Sequence, residues 1–293
     1  MGATRIGRLG QVRIYIGKCF RTFLNEKGWK SLISTLIMGI AIAWIIGDDT
    51  FSVFENTEMG VFAMICGCIW TGLFNSIQTI CRERAIIKRE YRTGLHISSY
   101  VVAHMIFELV LCIVEAVILV TVFDIFRNFP ENGVIFGWTW LELFISFMLI
   151  TFCADCLGLL VSCVVKTENA AMTVMPFILI IQLVMCGFMF VLPDYAEPVK
   201  EVTISKWGLS AICSSVDTDQ YPNNFTLMKF EEAKASNPDL EDWKEAGIQQ
   251  DDDPDYKPEA EHILACWGVL LGYSLLYGAV GASLLKLVDK DKR

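Results

Sequence analysis

Apolar positions in this chain gather into long continuous runs rather than alternating or forming narrow stripes. A helix needs about 20 apolar residues to cross a bilayer core of roughly 30 Å. Six runs approach or reach that length: 31–47, 59–80, 99–123, 134–165, 170–192 and 263–285. The first is slightly short, and the fourth is longer than one crossing needs. Four of the six carry no formal charge. The third carries His104, Glu108 and Glu115, and the fourth carries Glu142 and Asp155. Strands that span membranes alternate over about ten residues, which these runs do not. The pattern therefore predicts an all-α polytopic membrane protein with six transmembrane helices.

The intervening segments have patterns of their own. Residues 11–27 read as an amphipathic helix lying on the inner surface. Val12, Tyr15, Ile16, Cys19, Phe20 and Phe23 share one face; Lys18, Arg21 and Asn25 oppose it. Gly28, Trp29 and Lys30 form a corner, with Trp29 at headgroup level. The fourth run is long enough to begin as an interfacial piece around Phe136, Gly137 and Trp138. Residues 193–216 stay fairly apolar and predict an external re-entrant segment. Residues 217–261 are acidic and polar. The resulting division is 1–30, a cytoplasmic N-terminus with its amphipathic helix; 31–192, five spans; 193–261, the outer re-entrant segment and acidic loop; and 262–293, the sixth span and a cytoplasmic tail.

Composition sharpens this picture. Hydrophobic residues make up 54% and charged residues 19%, more apolar and less charged than soluble domains. Mean hydropathy is +0.47. Disorder, fibrous repeats and a small disulfide-stapled domain are excluded. Most of the 24 Lys and Arg lie before residue 31, in 82–92, at Lys166 or in the tail at Lys286, Lys290, Lys292 and Arg293. The stretch 193–261 holds seventeen acids against six bases. By the positive-inside rule both termini are cytoplasmic and the acidic loop is external. The net charge of −9 originates in that outer loop and does not point to a nucleic-acid partner. The first apolar run starts behind a basic stretch and reads as an uncleaved signal anchor.

Eleven cysteines suggest a framework, but eight of them fall inside apolar runs, where they read as small fillers of helix interfaces. Cys213 is external and is left free for a bridge across a dimer. The spacings Cys66-Gly-Cys68 and Cys153-Ala-Asp-Cys156 lack further ligands, so no metal site is predicted. Asp251, Asp252, Asp253 and Asp255 read as a solvated acidic run. There is no phosphate-binding loop, no HExxH and no GxSxG, so no catalytic residue is assigned. Asn224-Phe-Thr226 is a glycosylation sequon.

Charges inside a span demand partners or water. His104, Glu108 and Glu115 share one helical stripe. It reads either as a polar path or as an interhelical bonding stripe. Asn75, Gln78 and Gln182 could line a cavity or join helices. Pro176 removes one backbone bond in the fifth run, a kink beside a pathway or an ordinary tolerated proline. These six positions, Asn75, Gln78, Glu108, Glu115, Pro176 and Gln182, are the candidates for a translocation path. The basic segment 82–93, helical in period and directly after a span, could dock a cytosolic protein or lie on anionic lipid.

One ordered set of motifs resembles a known family. Glu83-Arg84, Arg89-Glu90, Gly94, Ser98-Ser99-Tyr100 and Phe107-Glu108-Leu109 are similar to the membrane half of export-type ABC transporters, closest to the G-subfamily or pleiotropic-drug-resistance type. Val110 stands where that family has proline. The stretch from Gly158 to Ser162, then Glu168 to Ala171, Pro176, Gly187 and the segment from Ile204 to Ala211 continue the resemblance in order. The resemblance implies a cytoplasmic coupling helix near 82–93, with Glu83, Arg84, Ile87, Arg89 and Glu90 as coupling residues and Gly94 as its stop. It implies a dimer of two permease halves, identical or different, in the cell membrane. It also implies a separate nucleotide-binding ATPase subunit that binds ATP and Mg, since these residues contain no ATPase domain. Membrane lipids are the other partners expected. An ATP-independent channel or receptor is the alternative; an intramembrane enzyme is weaker, because no catalytic pair converges.

Overall fold

The computed structural model describes residues 7–190, 193, 195, 197–236, 243, 244, 248, 250 and 253–286. Arg5, Asp251, Asp252, the end of the fifth apolar run at 191–192 and the tail with Lys290, Lys292 and Arg293 lie outside the described residues. Among the described residues every regular element is helical. The order is α1 (Arg8–Asn25), α2 (Trp29–Ile45), α3 (Phe54–Ser76), α4 (Thr79–Arg82), α5 (Arg84–Arg92), α6 (Ile97–Arg127), α7 (Thr139–Val164), α8 (Glu168–Val184), α9 (Glu197–Lys200), α10 (Ile204–Ser215), a 3₁₀ turn (Thr218–Gln220), α11 (Asn224–Ser236) and α12 (Ala260–Leu285).

Among the described residues four helices are long and apolar enough to cross a membrane: α3 continued through α4 to Arg82, α6, α7 and α12. α1 and α2 pass the same test only as a pair, and they meet at a 69° bend, which makes five crossings if the pair counts as one. α2 and α8 have 17 residues each, roughly 25 Å at 1.5 Å per residue. The first apolar run is itself only 17 residues long, whereas the fifth loses its helix after Val184, three residues before Gly187 takes a positive φ of 86°.

The core is built by α3, α6, α7, α10 and α12. α3 and α7 cross closely because glycines face the contact. A Cβ on Gly158 would sit 2.1 Å from Ser76 Oγ, and one on Gly72 would sit 2.4 Å from the Thr151 carbonyl oxygen. Small residues at such crossings replace the hydrophobic drive that lipid does not supply.

The irregular start expected for the fourth run lies at 134–138, and α7 begins only at Thr139. Glu142, in the first turn of α7, holds that stretch by accepting backbone N–H bonds from Val134, Ile135 and Phe136 at 3.2, 2.6 and 2.8 Å. The apolar segment after residue 193 forms α10, nearly all of whose residues are buried against α3, α7 and α12. Cys213 is 0% exposed there. A bridge from Cys213 across a dimer, open on sequence grounds, is closed off by this burial. The polar stretch beyond is tied down in part: Phe54 N–H donates to the Pro222 carbonyl at 3.1 Å, and the Tyr256 hydroxyl donates to Glu58.

Candidate functional site

The short helix α5 is tethered to three other helices by the residues that point into the bundle. Glu83 Oε2 accepts from Lys18 Nζ on α1 at 2.7 Å and from the Tyr100 hydroxyl on α6 at 2.8 Å. Glu90 Oε2 accepts from the Tyr15 hydroxyl on α1 at 2.7 Å. Arg84 Nη1 donates to the carbonyls of Cys163 and Val165 at the end of α7, at 3.2 and 2.7 Å. Ile87, 1% exposed, packs in a cluster with Ile80, Leu95, Tyr100 and Leu159. Tyr15 and Tyr100 meet edge to face at 5.4 Å.

The stop of α5 follows from one glycine. Gly94 takes φ +110°, a conformation that costs a side chain dearly. Leu95 N–H then donates to the Glu90 carbonyl at 3.0 Å and Gly94 N–H to the Tyr91 carbonyl at 3.2 Å, the pairing of a Schellman cap. Gln11 on α1 clasps this turn, donating to the Gly94 carbonyl at 3.1 Å and accepting from His96 N–H at 2.9 Å. At the other end, Ser162 Oγ on α7 accepts from both Ile80 and Cys81 N–H, each at 2.9 Å.

What α5 presents outward is a different set of residues. Ala85, Ile86, Arg89 and Arg92 are exposed, at the spacing of one helical face, and Arg82 is exposed at the end of α4. Arg82 reaches Glu26 at 2.9 Å. Of the residues singled out on sequence grounds, Arg89 lies on the outward face, whereas Glu83, Arg84, Ile87 and Glu90 are turned toward α1, α6 and α7. Lys18, expected on the polar face of α1, is turned inward because Glu83 lies in the groove to meet it. Burial pushes the Glu83 carboxyl up, but the hydrogen bonds from Lys18 and Tyr100 outweigh it, and the group sits below the usual carboxylate range.

The path candidates are dispersed. Asn75 Nδ2 donates to Glu115 Oε1 at 2.8 Å, and the Thr35 hydroxyl donates to the same oxygen at 3.4 Å, joining α2, α3 and α6. Gln78 lies at the break between α3 and α4. Gln182 belongs to another contact: its Oε1 accepts from Ile204 N–H at 2.7 Å and so caps α10. Pro176 is exposed, and α8 runs through it unbroken. Glu108 lines a cavity beside α1. Asp155, on α7, accepts from the Cys112 thiol at 2.7 Å. Among the described residues, no three His, Cys, Asp or Glu side chains are placed to hold a metal ion.

Sequence reasoning missed Gln11, Tyr15, Tyr100 and Ser162 as members of the α5 anchorage. Tyr100 lay within the quoted motif, but nothing marked its hydroxyl as the partner of Glu83. Gln11 is 83 residues from its partner, and no local pattern signals such a contact.

Residues 10–215 match the family model of the ABC-2 type transporter. The ABC transporter ATP-binding/permease protein Rv1747 of Mycobacterium tuberculosis is 26% identical over 210 residues, which is 67% of this chain and 24% of that protein. The chain thus spans about a quarter of that relative's length.

Proposed function

The chain belongs to the ABC-2 type transporter family, and from that premise we propose that it is the permease half of an ATP-driven exporter of the G-subfamily or pleiotropic-drug-resistance kind. Two such halves pair in the cell membrane around a translocation pathway. An ATPase subunit not contained in these residues binds ATP and Mg and docks on the cytoplasmic side. In this reading α2 and α8 are also spans, the chain crosses six times, and both termini are cytoplasmic. Each 17-residue helix sits at the lower limit for crossing.

One observation carries the reading: the two-sidedness of α5. Its outward face offers Ile86, Arg89 and Arg92 to a cytosolic surface. Its inward face is bonded to α1, α6 and α7 through Glu83, Glu90 and Arg84. A push on the outer face therefore reaches three helices without an intervening flexible loop. ATP shifts the equilibrium between inward- and outward-open states only if its bound form contacts them differently, and α5 is where that difference enters. The basic segment could instead lie on anionic lipid. Affinity capture of the tagged chain in mild detergent from its native host, with mass spectrometry and an ATP-hydrolysis assay, tests the proposal. A stoichiometric ATPase is expected; a clean chain without hydrolysis refutes it.

A further inference from the structure

A cavity of about 280 Å³ lies between α1, the start of α2, the α3–α4 junction and α6. At its rim stand two cross-helix ion pairs, Lys18 with Glu83 at 2.7 Å and Arg82 with Glu26 at 2.9 Å. Each pair balances its own charge. Glu108, eight residues along α6 from Tyr100 and so roughly 12 Å deeper, has no such balance. It lines the cavity, is 2% exposed, and its Oε2 has no hydrogen-bond partner. Ser31 Oγ, also on the lining, is likewise buried and unpartnered. Phe23 and Phe107 form an aromatic wall, edge to face at 5.7 Å. A carboxyl within a span calls for a partner or water, and ring faces attract organic cations.

We propose that this cavity binds a small organic ammonium ion whose apolar body lies against Phe23 and Phe107 and whose N–H groups meet Glu108 and Ser31. The volume falls just below that of drug-sized sites, so the ligand is small or only partly enclosed. The same chemistry is available from a free amine or from the headgroup of phosphatidylethanolamine. The site is formed by this chain alone and does not depend on the transport reading.

The test is calorimetric titration of the full chain in detergent micelles, with protein-free micelles subtracted. The probes are phenethylamine and its neutral near-isostere 2-phenylethanol. Saturable phenethylamine binding is expected, at least tenfold tighter than 2-phenylethanol and at least tenfold weakened by Glu108→Gln. Elution and melting of the variant check its folding; if it fails to fold, the comparison of the two probes on the unaltered chain decides. Repetition in nanodiscs separates the sources. Loss of phenethylamine binding in phosphatidylethanolamine discs, but not in phosphatidylglycerol discs, assigns the site to the headgroup; equal binding in both assigns it to a free amine. Absence of saturable binding, equal affinity for amine and alcohol, or unchanged binding by folded Glu108→Gln each overturns the proposal.

Discussion

Replacing Glu83 separates the clasp of α5 from the fold as a whole. In Glu83→Ala the Tyr100 hydroxyl, on a fully buried side chain, loses its acceptor, a loss of about 1–3 kcal/mol. Lys18, with its side chain 34% exposed, can turn to water, so its share is under about 1 kcal/mol. The sum is about 1–4 kcal/mol of local stability. Glu83→Gln keeps an oxygen for Tyr100 and forfeits mainly the charge, about 1 kcal/mol. Because the lost bonds join α5 to α1 and α6, the effect should be regional. Hydrogen exchange reads regional opening directly. We expect amides of α1 and α5 in Glu83→Ala to exchange roughly fivefold faster or more, those of Glu83→Gln less than those of Glu83→Ala, and those of α12 to be unchanged. If Glu83→Ala stays within threefold of the unaltered chain in α1 and α5, or if Gln is as damaging as Ala, the clasp does not have the energetics assigned to it.

Three further outcomes follow from the same geometry. Gly158→Val places a Cβ 2.1 Å from Ser76 Oγ and should destabilise the α3–α7 crossing by at least about 1–3 kcal/mol, seen as a lower melting temperature in detergent; an unchanged melt refutes the close approach. Ser162→Ala leaves two buried backbone N–H groups without their acceptor and should cost about 2 kcal/mol or more; a neutral effect on thermal unfolding would show that another acceptor takes over. The Glu83 carboxyl is held below its usual value, so its contribution is present above the unfolded carboxylate range of about 4.3 and is lost as pH falls through the lowered folded value. Spin labels at Gly17→Cys and Arg89→Cys should therefore move apart only in strong acid; separation that begins near neutrality would assign the clasp to another group.

Much of the architecture can be read from the apolar runs, because their length and the scarcity of charge in them suffice to locate α3, α6, α7 and α12. The same argument stops short at α8. An apolar run says where lipid or core is tolerated, not where the helix within it ends, and α8 ends at Val184 while the run goes on. α5 and its stop at Gly94 were also legible, since a basic amphipathic period followed by glycine is a local signal. The inward anchors were not. Amphipathic period assigns Lys18 to the polar face, yet an acid across the groove reverses that assignment at modest cost. Gln11, Tyr15 and Ser162 act through partners far along the chain, and their residue types are common. Gln182 illustrates the converse: an amide inside an apolar run suggests a cavity, while the structure spends it on the first N–H of α10.

The outward face of α5 is the most direct place to test the permease reading. A photo-crosslinking amino acid at Arg89, introduced in the full chain in native membranes, reports what lies against that face. A crosslink to a nucleotide-binding ATPase, changed in yield by ATP and lost when Ile86 is replaced by Asp, is the predicted result. Crosslinks to lipid alone, indifferent to ATP, would contradict the account and leave the basic segment 82–93 as a membrane-surface helix.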